Sequence, residues 1–181
     1  MSERQGGQRR IDRILAPEYG QNLAELSLSE VKRRRDESLA EREYQSLLRR
    51  LVQGRLDILK AEQARRASGE EEGSLVENLV AALAADGTPG GSPSRGEALR
   101  LTVPPEEMTL ARRRVEQLVA DTSISDPRSL SEAELEQAAT RLSDEERRVS
   151  ADRAAVIGVH DRMQDELKRR YKKDPTEALA P

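Results

Sequence analysis

The stretch Ser46–Asp57, SLLRRLVQGRLD, decides how this chain is read. Its polar residues Ser46, Arg49, Gln53 and Asp57 are spaced +3, +4 and +4. On an α-helix those steps keep all four within an arc of about 60–80°. Tyr44, Leu47, Leu48, Leu51, Val52, Ile58 and Leu59 fall mostly on the other side. The spacing therefore predicts a helix with an apolar seam and a separate row of hydroxyl, guanidinium, amide and carboxylate. A polar row opposite an apolar seam is also what any solvated helix face looks like. Two features argue for more. Gly54 stands in mid-helix, where glycine costs about 1 kcal/mol relative to alanine and often marks close backbone approach. The row also recurs.

Sliding the chain by 104 residues without gaps sets Ser46 on Ser150, Arg49 on Arg153, Gly54 on Gly158 and Asp57 on Asp161. The same shift pairs Glu41 with Glu145, Val52 with Val156, Glu62 with Glu166, and Arg65-Arg66 with Arg169-Arg170. Nine of the 26 positions from 41 to 66 are then identical, against about a tenth expected from so biased a composition. The tetrapeptide SLSE precedes each copy, at Ser27–Glu30 and at Ser129–Glu132. Ser-x-x-Glu is the spacing of a capping box, so each copy is expected to begin a long helix.

Composition sets the class. Of 181 residues 36% are charged, and Phe, Trp and Cys are absent. A thick globular core needs large apolar side chains, whereas long charged helices with a narrow apolar stripe do not. The net charge of −3, with both signs interspersed, predicts no direct DNA binding. The runs Arg33–Arg35 and Arg112–Arg114 read as solvated faces or phosphate contacts. Disulfides and thiolate chemistry are excluded. The lack of an apolar run of membrane-spanning length and of a signal-peptide core predicts a soluble, cytoplasmic protein without membrane association.

In chain order, residues 1–21 are polar and broken by Pro17, and read as a disordered tail. Residues 22–66 carry the first long helix. Residues 67–128 form a linker with two short helices, SLVENLVAALAAD from Ser74 and a second from Pro104 to about Ala120, joined by the flexible run GTPGGSPSRG (87–96). Residues 129–172 carry the second long helix, whose Leu135, Leu142, Val149, Val156 and Met163 recur every seven positions. That is a coiled-coil seam, interrupted by Glu145 and Asp152. Residues 173–181 are a tail. The expected fold is all-α: an elongated antiparallel coiled-coil hairpin with short accessory helices and flexible linkers. The rows should flank its seam, outside the helix–helix contact. Because the hairpin is related by a pseudo-twofold axis, it would present the same chemistry twice, which suits a ligand that is itself twofold symmetric.

Arginine donates to the O6/N7 edge of guanine or to phosphate, and aspartate accepts from guanine N–H groups, so the row has the chemistry of a guanine-nucleotide site. The row E-x3-S-x2-R-x3-Q-x3-D, once on each of two helices, together with LLRRLVQGRLDIL (47–59) and LSEVKRRRDE (28–37), resembles the actinobacterial anti-sigma factor family RsiG. The resemblance implies binding of cyclic di-GMP, as a nucleotide dimer, and ligand-dependent capture of the sporulation sigma factor WhiG. By that resemblance the ligand-binding residues are Ser46, Arg49, Gln53 and Asp57 in the first copy and Glu146, Ser150, Arg153 and Asp161 in the second. Each copy departs once from the pattern: Arg42 stands at the leading glutamate, and Ile157 stands at the glutamine. A chain that carries both copies should act as a monomer. The competing class is a coiled-coil scaffold or adaptor without ligand.

Catalysis is not expected. The single histidine, His160, has no cysteine or second histidine to form a relay or a metal site, and reads as a surface residue of a charged helix.

Overall fold

A computed structural model describes residues 9–69, 103–121 and 126–175. Every regular element among them is helical: α1 (Arg10–Leu15), α2 (Leu28–Ser68), α3 (Pro105–Asp121) and α4 (Glu132–Lys173), with 3₁₀ turns at Pro17–Gly20, Leu23–Glu25 and Pro127–Ser129. The expected helix from Ser74 and the run 87–96 lie outside the described residues. Two compact units divide the chain, Met1–Ser46 with Val149–Pro181, and Leu47–Arg148. The two long helices, α2 and α4, contribute to both.

In the first unit, Ile11, Ile14 and Tyr19 form one apolar cluster with Val31, Val156, Val159, Met163 and Leu167. The segment before α2 is therefore folded from Arg10 onward, and the expectation of a disordered tail over 1–21 is corrected there. Pro17 begins a 3₁₀ turn that delivers Tyr19 into the core. The Tyr19 hydroxyl donates to the Arg34 carbonyl at 3.2 Å and to Glu37 Oε2 at 3.0 Å. The Arg34 guanidinium stacks 5.1 Å from the ring centroid. Asn22 adopts φ 51°, a left-handed conformation that asparagine tolerates better than most residues. Ser27 then caps α2, accepting from the Glu30 amide at 3.2 Å. Glu30 does not reach back; its carboxylate takes Arg33 and Arg34 instead.

The α2 face in this unit is more polar than the apolar seam expected. Ser38, Glu41 and Gln45 are buried along it. Gln45 Nε2 donates to Glu41 Oε1 at 2.7 Å, and Arg10 of α1 donates to Glu41 Oε2 at 2.6 Å. A buried carboxylate is tolerable when both oxygens are hydrogen-bonded and a cation neutralises it. Pairing runs in opposite senses along the two long helices: Arg170 reaches the Leu26 carbonyl, whereas Arg153 reaches Ser46.

The second unit buries Leu47, Leu48, Val52, Leu56 and Leu59 of α2, Ala111, Val115 and Val119 of α3, and Leu135, Ala138 and Leu142 of α4. Helix α3 starts at Pro105, where a missing N–H costs nothing, and its acidic Glu106 and Glu107 complement the helix dipole. Arg114 of α3 donates to Glu145 at 3.0 Å, which supplies a partner for the seam carboxylate. The cap of α4 is not Ser129 with Glu132. Ser129 belongs to the preceding 3₁₀ turn, and the reciprocal box forms two residues later. There the Ser131 amide donates to Glu134 Oε2 at 2.8 Å, and the Glu134 amide donates to Ser131 Oγ at 3.3 Å. Here too the sense is opposed, since Arg66 reaches the Pro127 carbonyl and Arg49 reaches Glu146. All five residues of the heptad series in α4 are buried. Among the described residues no helix is long and apolar enough to cross a membrane.

Candidate functional site

Each compact unit holds a cross-helix contact between the two rows. In the first, Arg153 Nε donates to Ser46 Oγ at 2.9 Å, while Ser46 Oγ donates to the Arg42 carbonyl at 2.7 Å. In the second, Arg49 Nε donates to Glu146 Oε1 at 2.8 Å. The rows thus engage each other and do not lie wholly outside the helix–helix contact. The reason is reach: a guanidinium on the flank of one helix spans the gap to a hydroxyl or carboxylate on the flank of the other, so polar flank residues need not face solvent.

The remaining members are more open. Gln53, Asp57 and Asp161 are exposed, and Ser150 and Ile157 are half-buried. Gln53 and Asp57 make no side-chain hydrogen bond or ion pair among the described residues. Asp161 Oδ1 lies 3.3 Å from His160 Nδ1. His160 itself is buried, not at the surface. It stands four residues after Val156 and three before Met163, both buried, and that spacing carries it to the seam side of α4.

Arg153 differs from its counterpart Arg49. Arg49 has a carboxylate, Glu146, with side-chain exposures of 39% and 20%. Among the described residues Arg153 is half-buried and bonded through Nε alone, to a neutral hydroxyl, so its two terminal amino groups meet no protein acceptor. A guanidinium fixed at one nitrogen, with its fork unused, has donors that can reach two oxygens of an anion or a pair of acceptors on a base edge.

Gly54 and Gly158 do not serve close protein packing. A Cβ built at Gly54 or at Gly158 would meet nothing within 4 Å. Among the described residues no three His, Cys, Asp or Glu side chains form a group that could hold a metal ion.

A second repeated device holds the helices that carry the rows. Arg65 grips Glu62 through both carboxylate oxygens, and Arg66 shares Oε1 at 2.7 Å while reaching the carbonyls of Pro127 and Arg128. Its equivalent in the first unit has Arg169 on both oxygens of Glu166, with Arg170 sharing Oε1 at 2.7 Å and reaching the carbonyls of Leu23 and Leu26. Hydrogen bonds from Arg65 first, then Arg66, pull the Glu62 carboxyl down to about 2. Those from Arg169 and Arg170 do the same for Glu166. Sequence comparison paired these residues between the copies but gave no sign of their work. Each cluster ties the last turns of one long helix to the 3₁₀ turn that leads into the other.

Comparison with known proteins adds one match. Residues 17–83 fit the family model described as RsiG-like. No curated protein matches the chain. The matched segment bears the first row and all of α2, and over it the chain is similar to that family. An RsiG-type anti-sigma factor is the class this match supports, with a sigma factor as the kind of partner.

Proposed function

We propose that this protein is a cyclic di-GMP-dependent anti-sigma factor of the RsiG type, a binding protein and not an enzyme. Its α2 and α4 form an antiparallel coiled-coil hairpin, and Ser46, Arg49, Gln53, Asp57, Glu146, Ser150, Arg153 and Asp161 hold the nucleotide, as a dimer. The loaded hairpin captures a sigma factor of the WhiG type. Arg49 and Arg153 pair with phosphate or with the guanine O6/N7 edge, and Asp57 and Asp161 accept from guanine N–H groups. Glu146 acts by positioning Arg49, whose Nε it holds at 2.8 Å.

The observation that carries this reading is Arg153, a half-buried cation held at Nε by Ser46 of the opposite row. A solvated surface row has no need of such a crosswise hold, whereas a ligand site needs its cation oriented beforehand. The test is isothermal titration of the full chain with cyclic di-GMP, repeated on Arg153→Ala. The Ser46–Arg153 bond is one neutral–charged contact at a partly open site, so the variant should keep its helicity. Its nucleotide affinity should fall by about tenfold or more, the equivalent of a lost hydrogen bond to a charged group. A wild-type chain that takes up no cyclic di-GMP at millimolar concentration would be a scaffold without ligand.

A further inference from the structure

We infer that Arg42, the position at which the first copy departs from the pattern, is itself a ligand-binding residue and forms with Arg153 a two-guanidinium subsite for a phosphodiester group. The inference rests on the cyclic di-GMP reading and concerns which residues meet the charged part of that ligand.

Under the shift of 104 residues, position 42 is equivalent to Glu146 and Arg153 is equivalent to Arg49. Glu146 satisfies Arg49 of the other helix. The corresponding carboxylate that would satisfy Arg153 is replaced by a second cation. Arg153 turns instead to Ser46 Oγ, and that hydroxyl bonds onward to the Arg42 carbonyl. The Arg153 guanidinium is thereby anchored over the helical turn that Arg42 begins and Ser46 ends. Side chains four residues apart share one helix face, so the Arg42 side chain leaves that turn on the face where Arg153 is anchored.

Arg42 is half-buried, and among the described residues its side chain makes no hydrogen bond or ion pair. Two cations sharing one face, partly withdrawn from water, repel each other unless an anion lies between them. The adjacent Glu41 carboxylate is committed elsewhere, buried against Arg10 and Gln45. A phosphodiester supplies one negative charge and two free oxygens, which match guanidinium forks approaching from two sides. Exchange of the glutamate for arginine therefore converts a carboxylate that positions a cation into a direct contact with ligand charge.

The experiment titrates the full chain and its Arg42→Gln and Arg42→Glu variants with cyclic di-GMP at low and at moderate salt, with helicity recorded for each. Arg42→Gln keeps the length and removes the charge. It should weaken binding by about tenfold or more and flatten the salt dependence. Arg42→Glu should weaken binding at least as far. Unchanged affinity in Arg42→Gln, or tighter binding in Arg42→Glu through a restored carboxylate for Arg153, overturns the inference while leaving the cyclic di-GMP reading standing. Absence of binding by the wild-type chain overturns that reading and the inference together.

Discussion

At the scale of single residues, charge pairing separates the two copies of the row more clearly than residue type does. Ser, Arg and Asp occur in both, yet Arg49 is held by a carboxylate and Arg153 by a hydroxyl. Gly54 and Gly158 are shared as well, and a Cβ at either would meet nothing within 4 Å. Their presence therefore costs helix stability without any return from protein packing. Gly54→Ala should stabilise the free protein by about 0.5–1 kcal/mol, read as a rise in the urea midpoint. A loss of stability in that variant would mean that the backbone is closely approached there after all. The row itself was legible from its +3, +4, +4 spacing, and so was its duplication. The crosswise bonds were not, because the spacing of polar residues along one helix does not say which of them reach over to another. His160 was misjudged for a related reason, since its polarity outweighed a spacing that put it between Val156 and Met163 on the buried side.

At the scale of elements, the two long helices were legible to different degrees. The seam of α4 is written in five apolar residues seven apart, and all five are buried. On α2, Val31, Ser38, Gln45, Val52 and Leu59 keep the same spacing and are all buried, but two of them are polar, which hid the period. Helix α1 escaped notice because six residues are too few to show a period. Its Ile11 and Ile14, with Tyr19 after it, nevertheless complete the apolar cluster of their unit. The Glu62 and Glu166 clusters lead to a pH dependence. Each carboxyl is lowered from 4.5 to about 2 in the folded protein, so the unfolded chain binds its proton first as the pH falls. The stabilisation they contribute is complete above about pH 4.5 and is lost as the pH drops toward about 2. Between those limits the urea midpoint of a Glu62→Gln, Glu166→Gln double variant should fall less steeply than that of the wild type. Parallel pH profiles would show that the arginines merely gather at these carboxylates without stabilising the helix ends.

At the scale of the whole molecule, absence of Phe and Trp from a chain that is 36% charged leaves the core mainly to Leu, Val, Ile and Ala, joined by Tyr19 and Met163. Cores this thin are supplemented by ion pairs and by arginine bonds to turn carbonyls. Each of the two units has its own apolar cluster, its own arginine hold on a lead-in turn, and a bond between the rows. Composition made the all-helical class legible, but nothing in it told that the chain divides near Ser46 and Val149. The central claim is that nucleotide arms the protein to hold a sigma factor, and its most direct test is the association of the full chain with a purified WhiG-type sigma factor by sedimentation velocity. With saturating cyclic di-GMP the two should sediment as one complex. Without nucleotide, and in Arg153→Ala at the same nucleotide concentration, they should sediment separately. Equal association with and without cyclic di-GMP, or association undiminished in Arg153→Ala, would contradict the account.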